Sequence, residues 1–292
     1  MPSPIYRGRL APSPTGLLHL GHAATFWIAQ ERAHAANGSL LLRIEDLDPQ
    51  RSKPHFIDAI LEDLEWLGIS WQPPIVQQSR RLPLYREALH QLLITGHIYP
   101  CHCSRKDLAA MMHAPHEDTD DEPVYPGTCR PTLDVQQPQP SVQPNINYRF
   151  HVPDEAIIRV EDRNLGQQTF IAGKDFGDFL VWRKAISNHP EDAGLPSYQL
   201  ACVVDDADTN VTEVVRGRDL VKSTARQIVL QQALGLPTPT YFHTHLLVDE
   251  HGVRLAKRHD ALAIRTLRQR GLAPAQVLQM GAVHMTSVTS NR

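Results

Sequence analysis

Apolar and polar residues recur with clear periods in the first hundred positions, and they predict a βαβ unit followed by two helices. Residues 5–11 have the pattern of a short strand, and residues 21–37 have the spacing of a helix that ends at Asn37-Gly38. A short apolar run over Ser39–Glu45 predicts a buried strand. Strand, helix and strand at this spacing indicate a parallel sheet with a ligand site at the strand ends. Two further helices are predicted over Lys53–Leu67 and Leu84–Thr95.

The second half of the chain predicts more strands after an irregular insertion. Residues 101–144 are rich in Pro, Gln, His and acidic residues, a composition that favours irregular structure over core. A helix is expected from Thr224 to Leu234, and two short helices are expected after Arg258. Strand patterns cover Asn147–Val152, Ala156–Val160, Gln168–Ile171, Tyr198–Val204 and Val211–Val215, the last two flanking a predicted acidic turn at Asp205–Asp208.

Composition narrows the class of protein. The chain has 292 residues, 41% of them hydrophobic, and no apolar run approaches the ~20 residues that a membrane helix needs. The N-terminus lacks the layout of a secretory signal and four cysteines make no disulfide framework, so we expect a cytoplasmic protein without a membrane partner. The formal net charge of −3 is not the basic balance of a nucleic-acid-binding protein, so any RNA contact must use a local patch. Its candidate cations are Arg80, Arg81, Arg254, Lys257, Arg258, Arg265, Arg268 and Arg270.

The run RLAPSPTGLLHLGH over Arg9–His22 has the residue types of a nucleotide-phosphate site. Its two prolines fix the backbone of a turn, and its two glycines permit close approach of a flat ligand. His19 and His22 share one face at the start of the predicted helix, where the helix dipole favours phosphate. The alternative interpretation is a capped helix with two surface histidines.

This run resembles the signature of class I aminoacyl-tRNA synthetases, and more narrowly of the glutamyl branch, whose members open with R-x-A-P-S-P-T-G-x-L-H-x-G-H. The resemblance implies an α/β fold with a Rossmann-type parallel sheet, a zinc-bearing insertion and a short C-terminal helical segment. It implies ATP with Mg²⁺, bound by His19, Gly21, His22 and Lys257, with His19, His22 and Lys257 as the catalytic residues. It also implies a glutamate site formed by Arg9, Leu10, Ala11, Pro12, Ser13, Glu45, Tyr198 and Arg216.

The chemistry of these residues suits a glutamate pocket. Glu45 follows an apolar strand, and its carboxylate can neutralise the ammonium group of an amino acid. For Asp46 and Asp48, which follow Glu45, the alternative interpretation is a solvated acidic turn without a role in binding. A side-chain carboxylate is best bound by the paired N–H groups of guanidinium, which indicates Arg9 and Arg216.

A second motif, Gly252–Arg258, resembles the K-M-S-K-S loop that closes over the triphosphate in class I synthetases. Lys257 is the cation expected on the phosphates. The serine of the loop is replaced by Ala256, so one hydroxyl that could shape the closed loop is missing.

Cys101, Cys103 and Cys129 are candidate metal ligands, because thiols of a cytoplasmic protein bind metal more readily than they form a disulfide. Structural zinc has four ligands, and the candidates for the fourth are His102, His113, His116 and Tyr125. The resemblance favours Tyr125 and implies one structural zinc ion. Three unrelated reduced cysteines are the alternative. Cys202 lies in a predicted strand and is expected in the core.

The chain also resembles a truncated branch of the glutamyl family, the glutamyl-queuosine tRNA(Asp) synthetases. That branch activates glutamate with ATP and transfers it to the queuosine base at the wobble position of tRNA(Asp). The resemblance implies glutamate, ATP and queuosine-containing tRNA(Asp) as partners, with no DNA. The alternatives are a minimal glutamyl-tRNA synthetase that charges a tRNA 3′ end, a small-molecule nucleotidylyltransferase, and a tRNA-binding protein without activity.

The same resemblance implies how the chain is divided. Residues 1–100 are expected to form the first half of the Rossmann catalytic domain, and residues 101–190 an insertion with the zinc site. Residues 191–250 are expected to complete the Rossmann domain. Residues 251–292 are expected to hold the lysine loop and a short helical end, without an anticodon-binding domain.

Overall fold

Helices and strands alternate through most of the computed structural model, which describes residues 5–103, 124–131, 141–143, 145–185, 194–247 and 262–286. The α-helices there are α1 (Leu20–Ala35), α2 (Pro54–Trp66), α3 (Leu82–Ile94), α4 (Tyr198–Asp208), α5 (Val221–Leu234), α6 (Ile264–Gln269) and α7 (Pro274–Thr286). The strands are β1 (Arg7–Leu10), β2 (Ser39–Ile44), β3 (Gln72–Gln77), β4 (Ile98–Cys101), β5 (Asn147–Phe150), β6 (Ile157–Asp162), β7 (Gly166–Ile171), β8 (Phe179–Arg183), β9 (Leu195–Pro196), β10 (Glu213–Gly217) and β11 (Thr240–Thr244).

Parallel strands form the centre of the fold. Strand β1 pairs with β2 and β2 with β3, all parallel, and β10 pairs in parallel with β11. The two groups lie side by side, since the Thr212 N–H donates to the Arg7 carbonyl at 2.8 Å. The predicted βαβ unit is therefore confirmed, and α1 ends as expected, with Asn37 in the left-handed region at a φ of 48°.

Helices cover both faces of this parallel sheet. Leu41 of β2 packs with α3, α4 and α5, whereas Leu40 and Leu42 pack with α1, α2, α6 and α7. Successive side chains of a strand point to opposite faces, so one apolar strand can join two hydrophobic cores. The fold is the α/β Rossmann arrangement expected from the sequence.

A second, antiparallel sheet carries the cysteine cluster. It has the order β4-β5-β8-β9, and β6 and β7 form a hairpin beside it whose β6 meets β11 at Asp162. The predicted strands at Asn147–Val152, Ala156–Val160 and Gln168–Ile171 correspond to β5, β6 and β7. Most of the predicted irregular stretch of 101–144 lies outside the described residues.

One secondary-structure prediction is wrong. Residues Tyr198–Val204 are not a strand and Asp205–Asp208 are not a turn, because both belong to α4. The side chain of Ser197 caps this helix by accepting the Leu200 N–H at 3.3 Å. A short apolar run fits a buried helix as well as a strand, and this N-cap is the local signal that separates the two. Cys202 is buried as expected, but in a helix.

The C-terminal part agrees with expectation, with α6 and α7 as the two short helices within 262–286. Strands β3, β4, β8, β9 and β11 had no counterpart among the predicted elements. None of the helices within the described residues is long and apolar enough to cross a membrane.

Candidate active site

A cavity of about 900 Å³ opens at the carboxyl ends of β1, β2, β10 and β11, where a parallel sheet is expected to bind its ligand. Ten of the predicted site residues line it: Arg9, Ala11, Pro12, Ser13, His19, Gly21, His22, Glu45, Tyr198 and Arg216. Leu10 does not, because its side chain is fully buried in the hydrophobic core.

The proline turn is fixed from two sides. The Glu45 N–H donates to the Pro12 carbonyl at 3.0 Å, and the Lys53 N–H donates to the Pro14 carbonyl at 3.1 Å. These bonds tie the turn to the end of β2 and to the start of α2. The turn therefore forms a rigid wall of the cavity.

His19 and His22 cap the first turn of α1 reciprocally. His19 Nδ1 accepts the Gly21 N–H, and His22 Nδ1 accepts the His19 N–H, both at 3.2 Å. A Cβ on Gly21 would lie 3.1 Å from the His19 ring, so the glycine makes room for that ring. The capping interpretation is thus correct in part, but both rings line the cavity instead of covering an outer surface.

This capping sets what the two imidazoles can offer a ligand. With Nδ1 accepting a hydrogen bond, the neutral ring carries its proton on Nε2, which becomes a donor. Burial and the neighbouring His19 lower the pKa of His22 to about 3. His22 is therefore a neutral hydrogen-bond donor at neutral pH, and it brings no charge of its own.

Glu45 belongs to a buried cluster of charged side chains around Arg43. The Arg43 guanidinium, fully buried, donates to Asp206 Oδ1 at 2.5 Å and to Glu45 Oε1 at 3.1 Å. Burial raises the pKa of Glu45, and Arg43 and Arg9 oppose that shift only in part. Within the described residues Glu45 Oε2 makes no hydrogen bond, so this oxygen is available to a cation in the cavity.

Arg216 is buried too, but its partners carry no charge. Its Nη1 donates to the Tyr198 hydroxyl at 3.2 Å, and its Nη2 donates to Thr224 Oγ1 at 2.6 Å and Gln227 Oε1 at 2.8 Å. Its Nε lies 3.3 Å from His243 Nε2. Among the described residues no carboxylate is hydrogen-bonded to this guanidinium, so its positive charge is available to an anion in the cavity.

Arg9 is held by the sheet itself. Its Nη1 donates to the Val215 carbonyl of β10 at 2.8 Å, and its Nε lies 3.8 Å from Asp206. The Nε has no hydrogen-bond partner within the described part of the chain. Arg9 therefore adds positive charge to the same cavity, partly balanced by Asp206.

The three predicted cysteines lie together, and Tyr125 joins them. The Sγ atoms of Cys101, Cys103 and Cys129 all lie within 4.8 Å of one another. The Tyr125 hydroxyl is 3.5 Å from Cys103 Sγ and 3.7 Å from Cys101 Sγ. A tetrahedral zinc with Zn–S bonds of about 2.3 Å spaces its sulfurs by about 3.8 Å, so the four groups fit such an ion.

The surroundings act differently on two thiols of this cluster, since burial raises the pKa of Cys103. Burial raises the pKa of Cys129, but hydrogen bonds from the Tyr125 hydroxyl and the His102 backbone outweigh it and bring the pKa to about 7. The Arg149 guanidinium donates to Cys101 Sγ at 3.3 Å. His102 has an exposed side chain, and His113 and His116 lie outside the described residues.

Several other predicted site residues do not line the cavity or lie outside the described residues. The lysine loop lies outside them, with Arg254, Leu255, Ala256, Lys257 and Arg258. Of the cations proposed for RNA, Arg81 is paired with Asp205 and Asp208, and Arg265 is paired with Glu62. The side chains of Arg80, Arg268 and Arg270 are exposed.

Comparison with known proteins shows the family of this chain. Residues 6–291 match the family model of class I tRNA synthetases (E and Q), catalytic domain. The chain is 44% identical to a glutamyl-Q tRNA(Asp) synthetase of Rhodopirellula baltica, over 94% of this chain and 83% of the relative. It is 41% identical to one of Rhodobacter capsulatus, over 93% of this chain and 98% of the relative. The chain belongs to the glutamyl-Q tRNA(Asp) synthetase family of class I tRNA synthetases.

Solved structures agree on the fold. A glutamate tRNA ligase of Elizabethkingia meningosepticum in complex with its amino acid superposes with a TM-score of 0.74 at 24% identity, over 95% of this chain. A glutamate-tRNA synthetase of Elizabethkingia anophelis gives a TM-score of 0.72 at 26% identity, over 92% of this chain. The chain spans 60% and 54% of the lengths of those two solved chains. The family and the fold make this protein a synthetase-type ligase.

Five residues that surround Glu45 and Arg216 are not predicted from the sequence, because they belong to no local motif. They are Arg43, Asp206, Thr224, Gln227 and His243. Arg43 and Asp206 stand 163 positions apart, so no motif could join them. His243 stands on β11, a strand with no predicted counterpart. A buried arginine in an apolar strand is the one signal that could have marked Arg43, since such a charge needs partners.

Proposed function

We propose that this protein activates glutamate with ATP, forms glutamyl-adenylate without tRNA, and transfers the glutamyl group to the queuosine base of tRNA(Asp). The observation that carries the first half is the buried Arg216 guanidinium, which lines the cavity with uncharged partners only. The second half is supported by the names of relatives that are 41–44% identical to this chain.

Glutamate fits the charges of the cavity. In this proposal its side-chain carboxylate binds the Nη1 side of Arg216 and the Tyr198 hydroxyl, with Arg9 adding positive charge. Its ammonium group binds Glu45, whose Oε2 makes no hydrogen bond within the described residues. A ligand with two anionic groups and one cationic group would offset all three of these side chains.

The proposed reaction is an in-line attack of the glutamate α-carboxylate oxygen on the α-phosphorus of ATP. The bond from that phosphorus to the bridging oxygen of the β-phosphate breaks, and pyrophosphate leaves with the electron pair. His19 and His22 donate hydrogen bonds to phosphate oxygens through Nε2. Lys257, and Mg²⁺ when bound with ATP, would offset the charge that develops on pyrophosphate, so positioning and electrostatics supply the catalysis.

The second step transfers the glutamyl group to a hydroxyl of the queuosine base, with AMP as the leaving group. A cytoplasmic location follows from this proposal, since the tRNA substrate is found there. The rival substrate is the 3′ end of a tRNA, favoured by the likeness to a glutamate-tRNA synthetase at 26% identity. A nucleotidylyltransferase acting on other small molecules would have no use for Glu45, Tyr198 and Arg216 together.

Zinc is proposed as a structural ion held by Cys101, Cys103, Tyr125 and Cys129. The four ligand atoms fit a tetrahedron, and four protein ligands would leave no open position for a substrate. When bound, zinc would supply a cross-link between β4 and the segment that carries Tyr125 and Cys129. That segment has few apolar residues of its own to fix its position.

The test compares two tRNA preparations as glutamate acceptors. One is tRNA(Asp) trimmed of its 3′ adenosine, and the other is intact tRNA(Asp) from cells that cannot make queuosine. We expect the trimmed tRNA to accept radiolabelled glutamate and the queuosine-free tRNA to accept none. The opposite pattern would identify the protein as a 3′-end synthetase. Labelling of neither tRNA, with adenylate formed normally, would limit the function to glutamate activation.

A further inference from the structure

A buried chain of hydrogen bonds runs from the β6–β7 hairpin to the candidate glutamate site. Asp162 Oδ2 lies 2.6 Å from His243 Nδ1, and both side chains are fully buried. On the other side of the ring, His243 Nε2 lies 3.3 Å from Arg216 Nε and 3.0 Å from Thr224 Oγ1. His243 therefore joins a carboxylate outside the cavity to the guanidinium that lines it.

Asp162 fixes which nitrogen of His243 carries the proton. Its Oδ1 accepts the backbone N–H groups of Asn164 at 2.9 Å and Leu165 at 2.8 Å, so the carboxylate cannot rotate freely. A carboxylate accepts hydrogen bonds, and it therefore selects the tautomer with hydrogen on Nδ1. Nε2 is then left with its lone pair directed at Arg216.

His243 is also uncharged at neutral pH. Burial and the positive charge of Arg216 lower the pKa of His243 to about 4, against the opposing effect of Asp162. The charged groups that act on the ring are thus Asp162 on one side and Arg216 on the other, with Arg9 adding further positive charge. The neutral histidine lies between Asp162 and Arg216. It can therefore orient the Arg216 guanidinium without placing a negative charge directly beside it.

The orientation of Arg216 depends on this acceptor. Four of its five N–H groups are directed at His243, Thr224, Gln227 and Tyr198. The remaining N–H belongs to Nη1, on the side of the guanidinium where Tyr198 also lines the cavity. The plane of the guanidinium is therefore set by its Nε and Nη2 edge, and the Nη1 side is left for a ligand.

We propose that the Asp162–His243 pair positions Arg216 and thereby sets the selectivity of the pocket for a side-chain carboxylate over an amide. This rests on the proposed function, in which Arg216 binds the side chain of glutamate. Neither Asp162 nor His243 touches the substrate. A direct carboxylate partner would orient Arg216 equally well but would neutralise it, and the pocket would then lose its preference for an anion.

The test uses Asp162→Asn, which is nearly isosteric. The Asn oxygen can keep the N–H groups of Asn164 and Leu165. Its NH₂ group meets His243 Nδ1 and also the His243 backbone N–H, which donates to Asp162 Oδ2 at 3.1 Å in the wild type. The imidazole must then carry its proton on Nε2, and this N–H faces the Arg216 Nε–H, an unfavourable contact of two donors. We expect the KM for glutamate in ATP–pyrophosphate exchange to rise about tenfold, with the KM for ATP changed less than twofold. The preference for glutamate over glutamine should fall by a similar factor.

The variant His243→Gln distinguishes an effect on the orientation of Arg216 from a general loss of protein stability. Its side-chain oxygen can accept from Arg216 Nε without help from Asp162, so its KM for glutamate should stay within about threefold of the wild type. Adding Asp162→Asn to His243→Gln should then raise that KM no further. If Asp162→Asn raised the KM for glutamate further in the His243→Gln background, the two residues would act independently and the proposal would be contradicted. A parallel rise of the KM for glutamate and the KM for ATP in Asp162→Asn would also contradict it.

Tyr6→Phe is the matched control. It removes the 2.8 Å hydrogen bond from the Tyr6 hydroxyl to Glu213, which stands at the other end of β10 from Arg216. It should lower thermal stability and leave the KM for glutamate unchanged. Wild-type protein without glutamate-dependent exchange would refute the proposed function itself. Normal wild-type exchange with an unchanged Asp162→Asn variant would refute only the positioning role.

Discussion

Arg43 on β2 and Arg216 on β10 are two buried arginines, and they differ in their partners. Arg43 is fully buried, and Arg216 has 5% of its surface exposed. Arg43 is hydrogen-bonded to the carboxylates of Asp206 and Glu45. Arg216 is hydrogen-bonded to a phenol, a hydroxyl, an amide and an imidazole.

In the proposed function, this difference separates a structural cation from a ligand-binding one. The charge of Arg43 is compensated within the protein, and the carboxylates around it also depend on that cation. Arg216 satisfies its hydrogen-bonding groups with neutral acceptors and keeps its charge for the cavity. Burial alone therefore does not reveal a functional arginine, whereas the charge of its partners does.

The largest expected effect is on activity, from Arg216→Met. This change should lower kcat/KM for glutamate in ATP–pyrophosphate exchange by about 10³-fold, because the side-chain carboxylate of glutamate would be buried without a cation. The stability of the variant should fall less than that of Arg43→Met. Exchange within tenfold of the wild type would show that another residue, such as Arg9, binds that carboxylate.

Arg43→Met should lower chiefly the stability of the protein, whereas Arg216→Met lowers chiefly its activity. Removing the cation leaves Asp206 and Glu45 buried without compensation, which costs about 3 kcal/mol. Denaturant unfolding at pH 7 measures this loss against the wild type. An unfolding midpoint equal to that of Arg216→Met would remove the distinction between the two arginines.

The cysteine cluster gives the comparison with the opposite sign, since in the proposed function its thiolates bind a cation. Tyr125→Phe should keep the fold and lower zinc affinity at least tenfold, as one of four ligands is lost. Chelator competition followed by metal analysis measures this affinity, with Cys101→Ser as the variant that should retain little zinc. Full zinc affinity in Tyr125→Phe would assign the fourth position to a histidine, His102, His113 or His116.

Local patterns predicted the parts of this fold that depend on neighbouring residues. The βαβ unit follows from apolar periodicity and from Asn37 as a helix end. The short apolar run of Tyr198–Val204 predicts a strand before an acidic turn at Asp205–Asp208, and this is wrong because Ser197 caps a single helix over both segments. A motif resemblance, and not periodicity, indicates Arg9, Glu45, Tyr198 and Arg216 as site residues.

The partners of these residues could not be predicted in the same way. Arg43 and Asp206 meet across 163 positions, and Asp162 reaches His243 across 81. Whether a buried arginine is neutralised depends on such distant contacts. The sequence indicates which side chains carry charge, and the tertiary structure decides which charges remain uncompensated.

The central claim is that the Arg216 pocket keeps an uncompensated positive charge for a ligand carboxylate. It is tested most directly by tRNA-free ATP–pyrophosphate exchange with glutamate and glutamine, which differ in one charged group. We predict that kcat/KM for glutamate exceeds that for glutamine by ~10²-fold or more, since glutamine leaves the buried charge unpaired. Equal rates with the two amino acids would contradict the claim.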